Sequence, residues 1–148
     1  MQGLESRGKG QYIPRSEREA SARVIRVGSS KGKGRGVFAR RQIAEGELIE
    51  QAPVLVIPAA EWKHLEQTIL YSYCFSWGAE GQHAALALGF GSLYNHSYQP
   101  NAAYVKRLAE GVIDFVALRE IAPGQEITIN YHGAPGAQGP MWFGEVVE

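Results

Sequence analysis

Phe90-Gly-Ser-Leu-Tyr-Asn-His-Ser-Tyr-Gln-Pro-Asn101 sets carboxamides, an imidazole, hydroxyls and aromatics side by side. The stretch follows neither the helical nor the strand side-chain period. A surface turn uses Gly, Pro, Asn or Ser for backbone reasons, but it has no need of Asn95-His96-Ser97 followed by Pro100-Asn101. The apolar approach of Leu86, Leu88, Phe90 and Leu93 leads these polar groups to the edge of a core. Buried polar groups must find partners, so the segment is either a self-bonded knot of loop or a ligand cradle. The whole constellation favours the cradle.

Working outward, the 148 residues fit one domain, and a hydrophobic share of 45% is enough for a real core. Fifteen basic and fifteen acidic residues cancel, so net charge selects neither nucleic acid nor a membrane surface. The basic residues gather between Arg7 and Arg41, as an arm for an acidic partner or as a solvated terminus. Cys74 is the single cysteine, which excludes an internal disulfide and a Cys-cluster zinc site. No apolar run reaches the ~20 residues of a membrane span, and the N-terminus lacks an apolar signal core. A soluble, cytoplasmic protein is expected.

Residues 1–21 read as a flexible basic arm. Val24, Ile25 and Val27 begin a short strand, Gly28–Gly36 is a glycine-rich loop or hairpin turn, and Val37-Phe38-Ala39 is a second strand. The loop has neither Walker spacing nor a following helix pattern, so it is no phosphate or dinucleotide loop. Glu47 to Ile57 is a strand whose Pro53 points to an edge or a bulge. Ala59 to Leu70 is the one expected helix, with Trp62, Leu65, Ile69 and Leu70 on one face. Tyr71, Tyr73, Phe75 and Trp77 alternate as in a strand; Tyr71 and Tyr73 are secondary candidates for a site. Strands follow at Ala102–Lys106 and Val112–Leu118, and Glu126–Tyr131 alternates with period two. Arg41-Gln-Ile-Ala-Glu-Gly46 and Arg119-Glu-Ile-Ala-Pro-Gly124 are one kind of turn used twice. The reading is mainly β with one helix.

Three separated segments, Gly34-Arg-Gly-Val-Phe-Ala39, Leu93-Tyr-Asn-His-Ser-Tyr-Gln-Pro-Asn101 and Glu126-Ile-Thr-Ile-Asn-Tyr131, resemble in order and spacing the signature motifs of SET-domain protein lysine methyltransferases. The resemblance spans Val24 to Gly133, the second motif being the most specific. It implies a SET-domain β-clip of small curved sheets with a C-terminal pseudoknot, a domain over 22–133 and a post-SET-like tail over 134–148. It implies transfer of a methyl group from S-adenosylmethionine to a lysine amine by direct in-line displacement, the lysine entering through a narrow tyrosine-lined channel. No metal is implied.

By the same resemblance Lys33, Gly34 and Arg35 offer backbone groups to the cofactor's methionine moiety. Asn95 holds its ammonium, the backbone at His96 reads the adenine edge, and Asn101 ties the loop to a neighbouring strand. His96 is a packing residue in this reading, not a base. Tyr131 matches the catalytic tyrosine, Tyr104 is a second channel candidate, and Trp142 or Phe143 folds over the adenine. Two departures stand out: Gln51 occupies the place of a frequent tyrosine, and the zinc-binding cysteines are missing. A non-catalytic SET-like module that holds cofactor or peptide, and an unrelated β-clip that binds a carbohydrate, are the alternatives. The substrate is expected to be a histone or another lysine-bearing protein, without direct nucleic-acid or membrane binding. The compact size fits a bacterial or viral enzyme, with a host nucleus as a second location.

Overall fold

The computed structural model describes residues 24–144, 146 and 148; the N-terminal arm lies outside them. The described residues form nine strands: β1 (Ile25–Ser30), β2 (Gly34–Ala39), β3 (Leu48–Ile57), β4 (Cys74–Trp77), β5 (His83–Ala87), β6 (Asn95–His96), β7 (Ala102–Arg107), β8 (Val112–Ala117) and β9 (Glu126–Ile129). They make a four-stranded sheet of order β1-β2-β9-β6 and a five-stranded sheet of order β4-β5-β3-β8-β7. The larger sheet curls until its edge strands meet: Lys106 Nζ donates to Ser76 Oγ at 2.8 Å, and the Tyr104 and Phe75 rings lie edge to face at 5.0 Å. Val37, Ile43, Ile49, Ile113, Phe115, Ile121, Ile127 and Ile129 fill the core between the sheets.

The glycine-rich stretch is a hairpin. Strand pairing runs on through Gly28↔Gly36 to Ser30↔Gly34, so only residues 31–33 are turn. Pro53 sits where β3 changes partner, from β8 through Pro53 to β5 from Val54 on. Each half of β3 is thus an edge on one side, which is how a central strand accommodates a residue with no N–H. A register shift between Leu48 and Glu50 turns both Ile49 and Glu50 inward.

The expected helix over 59–70 does not form. A 3-10 turn (Ala59–Glu61), a single α-turn, α1 (Trp62–Leu65), and a second 3-10 turn (Ile69–Tyr73) take its place. Thr68 is extended, at φ −123° and ψ 160°, and its hydroxyl and N–H both bond the Leu65 carbonyl, closing α1. Leu65 alone is buried in α1, so no apolar stripe holds a longer helix to the core. The aromatic strand consequently begins at Cys74, not Tyr71, and β5 is an additional strand within the apolar approach.

The twin turns pack against each other. Ile43 and Ile121 exchange two backbone hydrogen bonds of 2.9 Å and are both fully buried. Gly46 N–H reaches Ala117 O, and Gly124 N–H reaches Ala39 O, at 2.9 and 2.8 Å. Both glycines have positive φ, 77° and 81°, which an L side chain rarely adopts. One turn launches β3 into the large sheet, the other β9 into the small one.

Candidate active site

β9 enters between β2, antiparallel, and β6, parallel, with Asn95↔Thr128 and His96↔Ile129 in register. Ile127 and Ile129 face the core as the alternation requires. Two residues cannot anchor a strand alone, so the loop's polar side chains complete the ladder. Asn101 spends its whole amide on β9: Nδ2 donates to Glu126 O (2.8 Å) and Oδ1 accepts Thr128 N–H (2.9 Å). Ser97 N–H bonds Ile129 O at 3.0 Å. His96 Nδ1 accepts the Tyr131 N–H at 3.0 Å, so the neutral ring carries its proton on Nε2. Burial holds the His96 pKa down, with His132 and Lys33 adding to the effect and Glu148 opposing it. This ring fixes Tyr131 and is not placed as a free base. Asn130, also buried, bonds the carbonyls of Ala137 and Pro135.

Glu50 secures the start of the loop. Its carboxylate, buried at the β3 bulge, accepts Phe90 N–H and Tyr94 OH, both at 2.9 Å. Tyr94 is buried and stacks on Phe115 at 4.4 Å. The Tyr94 carbonyl in turn accepts the Tyr131 hydroxyl at 2.7 Å. Burial, with the Tyr73 and Glu126 groups adding to it, pushes the Tyr131 phenol up to about 12. Its hydroxyl therefore stays protonated across the physiological range.

A cleft of about 500 Å³ opens beside this hydroxyl, and Lys33, Gly34, Arg35, Asn95, His96, Tyr131 and Trp142 all line it. Seven residues chosen from four separate segments thus share one concavity of ligand size. Asn95 Nδ2 donates to Arg35 O (2.8 Å) and Glu126 Oε1 (2.7 Å). Both amide hydrogens are used, so Oδ1 is left as an acceptor at the cleft. Lys33 Nζ holds His96 O at 3.1 Å. His96 Nε2 is a buried polar atom without a partner among the described residues. Trp142 lies nearly parallel to Tyr131, with centroids 5.8 Å apart, and Phe143 stands edge-on to both.

A second cavity of about 220 Å³ adjoins the first, lined by Tyr73, Phe75, Tyr94, Tyr104, Tyr131 and Trp142 among others. Tyr73, Ser72, Ser92, Tyr131 and Trp142 border both. Tyr104 is here and not in the large cleft; its hydroxyl lies 3.4 Å from Tyr131 O, and burial raises its pKa. Of the two secondary tyrosines, Tyr73 lines the site, whereas Tyr71 packs edge-on to Trp62 at 5.3 Å. Gln51 is exposed, lines neither cavity, and donates to Asp114 at 2.8 Å. Position 51 therefore forms no part of either cavity wall. The sequence reading passed over Glu126, Glu50 and Ser30, because a carboxylate or hydroxyl in a strand reads as solvated until its partners are in place. Glu126, first residue of the third motif and opposite Phe38 in β2, was the one with a positional hint.

The SET-domain family model matches residues 34–132. The chain belongs to the SET-domain family. It is 37% identical over 108 residues to "Histone-lysine N-methyltransferase, H3 lysine-37 specific" of Schizosaccharomyces pombe, covering 72% of each chain. It is also similar, at TM-score 0.57 and 31% identity, to the crystal structure of a Plasmodium falciparum protein assigned as a histone methyltransferase, over 74% of this chain and 98% of that one. A Chaetomium thermophilum Polycomb Repressive Complex 2 chain shares the fold, at TM-score 0.60 and 21% identity over 72% of this chain and 14% of that one. The SET-domain chain is accordingly a lysine methyltransferase. The sheets, turns and motif loop described above are this family's architecture in a compact form.

Proposed function

We propose that this SET-domain protein is an S-adenosylmethionine-dependent protein-lysine N-methyltransferase whose substrate is a histone or another protein presenting a lysine. The observation that carries the proposal is the meeting of two cavities along a border that includes Tyr131, whose Oη is tied to Tyr94 O. The donor set suits the cofactor. Asn95 Oδ1, with both hydrogens of its amide committed elsewhere, is left to accept from an ammonium. Gly34 and the neighbouring backbone of Lys33 and Arg35 would hold the methionine moiety, the His96 backbone would meet the adenine edge, and Trp142 would cover it.

S-adenosylmethionine, when bound, would supply an electrophilic sulfonium methyl: a neutral lysine amine would form the new N–C bond in line as the C–S bond breaks, with S-adenosylhomocysteine as the leaving group. The chain's own residues then have three tasks. Tyr73, Phe75, Tyr104 and Tyr131 line the small cavity as a narrow path for the lysine stem, excluding water. A free lysine, of pKa near 10.4, is neutral in roughly one molecule in a thousand or fewer at pH 7; an apolar, aromatic enclosure lowers that pKa by penalising the charged form. Tyr131, anchored through its hydroxyl to Tyr94 and through its N–H to His96, fixes the position at which amine and methyl meet.

Transfer of labelled methyl from S-adenosylmethionine to recombinant histones and to a cell lysate tests this. Labelling that collapses in Tyr131→Phe is the expected result. Cofactor binding with no labelled protein in either mixture would instead support a binding module, and no cofactor binding would end the reading. The rate should also rise from pH 7 to pH 10 as the amine deprotonates. Tyr131, held at about 12, contributes no ionisation in that window.

A further inference from the structure

We infer that Glu126 is the positioning residue for the cofactor's α-ammonium group: it fixes the Asn95 amide and places a negative charge behind it. The inference rests on the cofactor reading above and adds a residue to it. Glu126 lines neither cavity. It stands one layer back, where all four strands of the small sheet converge. Its Oε1 accepts Asn95 Nδ2 from β6 at 2.7 Å, and its Oε2 accepts Ser30 Oγ from β1 at 2.8 Å. β2 contributes an absence of side chain: a Cβ built on Gly36 would lie 2.2 Å from Glu126 Oε1 and 2.9 Å from Asn95 Nδ2. The close approach of carboxylate and carboxamide therefore requires glycine at this position.

The arrangement has a direction. Carboxylate oxygens only accept, and the Arg35 carbonyl only accepts, so Asn95 can satisfy both only with its NH2 turned toward them. A flipped amide would set oxygen against oxygen on both sides. Oδ1 is thereby held toward the cleft, polarised by a carboxylate bonded to the same amide. No cationic side chain among the described residues pairs with Glu126, whose bonded partners are a neutral amide and a hydroxyl. Its charge consequently favours a cation entering beside Asn95. The Arg35 carbonyl alone still orients the amide in a variant without the carboxylate, so the effect is graded.

Calorimetric binding of S-adenosylhomocysteine and of 5′-methylthioadenosine, which lacks the amino-acid tail, separates this role from a structural one. In Glu126→Gln, affinity for S-adenosylhomocysteine should fall on the order of tenfold, the loss of one charge-assisted contact. Affinity for 5′-methylthioadenosine should be unchanged, which at the same time shows that the variant is folded. Ser30→Ala, which frees the second carboxylate oxygen, should give a smaller selective loss. Equal weakening of both ligands, or of neither, in a folded Glu126→Gln protein would overturn the inference. Failure of the unaltered protein to bind either compound would instead overturn the cofactor reading on which it stands.

Discussion

The turn at Arg41–Gly46 and the turn at Arg119–Gly124 are near copies, and the strands they release do different work. Both bury their isoleucine, both turn on a glycine of positive φ, and each closes on the other through the Ile43–Ile121 bridge. Aligned on their glycines, Ile49 matches Ile127, and both are buried. Beyond that point the arms part. Leu48 is 51% exposed where its counterpart Glu126 binds Asn95. Pro53 switches partners in the large sheet where its counterpart Tyr131 borders both cavities. The same local code thus yields scaffold on one arm and chemistry on the other. What differs is the neighbour: β3 meets long strands, whereas β9 meets a two-residue strand and must be completed by Asn95, His96 and Asn101.

The sharpest test of that division compares Tyr131→Phe with Pro53→Ala. Tyr131→Phe removes the hydroxyl from Tyr94 O at the point where the cavities meet, and methyl transfer should fall at least about a hundredfold, the scale of one lost positioned polar group. Its stability should change by only about 1 kcal/mol, one hydrogen bond. Pro53→Ala should leave the transfer rate within about twofold. If the two variants lost comparable activity, the arms would not divide as argued.

Ile43→Ala and Ile121→Ala probe what the arms share. Each deletes a fully buried side chain, and chemical denaturation should register losses of about 2–5 kcal/mol for both. The pair touch, so the double variant should lose less or more than the sum, revealing the coupling. Activity measured well below the unfolding transition should separate them: Ile121→Ala loosens the base of β9 and should cost turnover, while Ile43→Ala should cost stability alone. Equal activity losses would mean that the bridge transmits strain evenly to both arms.

This contrast also explains what was legible in the sequence. The twin turns, the period-two run over Glu126–Ile129 and the motif loop were readable because each is coded by residues adjacent in the chain. The seven cofactor-site candidates could be named because the family resemblance supplied their company; their gathering around one cleft is then a matter of the β2, β6 and β9 register. The helix over 59–70 failed because spacing records where apolar residues lie and not whether a core waits for them: Ile69 is 74% exposed. The roles of Glu50 and, beyond its place at the head of the third motif, Glu126 were hidden for the opposite reason. A carboxylate's role is set by donors contributed from 31 or more positions away, by Asn95, Tyr94 and Phe90, and no local pattern announces it.

The smallest expected effect lies on the residue that follows each turn's glycine, Glu47 against Gln125. Glu47 accepts Ala44 N–H and Arg41 Nη2, at 3.0 and 2.6 Å, and Gln125 accepts Ala122 N–H alone, at 3.1 Å. The bond from Arg41, with that from Ala44 N–H, holds the Glu47 carboxyl below its usual value. A depressed folded-state pKa stabilises the fold above the unfolded value, near 4.3, and that contribution is lost as pH falls through the folded value. Glu47→Gln should therefore cost roughly 0.5 kcal/mol or less at pH 7, since Arg41 is half exposed and the pair is screened. Below the folded value the variant and the unaltered protein should unfold together. The reciprocal Gln125→Glu should not gain the same amount. Arg119, the counterpart of Arg41, already donates to the Gln99 carbonyl at 3.1 Å, so a new carboxylate would draw it away from the loop that carries Asn101. A gain in stability without any loss of transfer in Gln125→Glu would show that the second arm does not depend on that arginine, and that the turns are interchangeable after all.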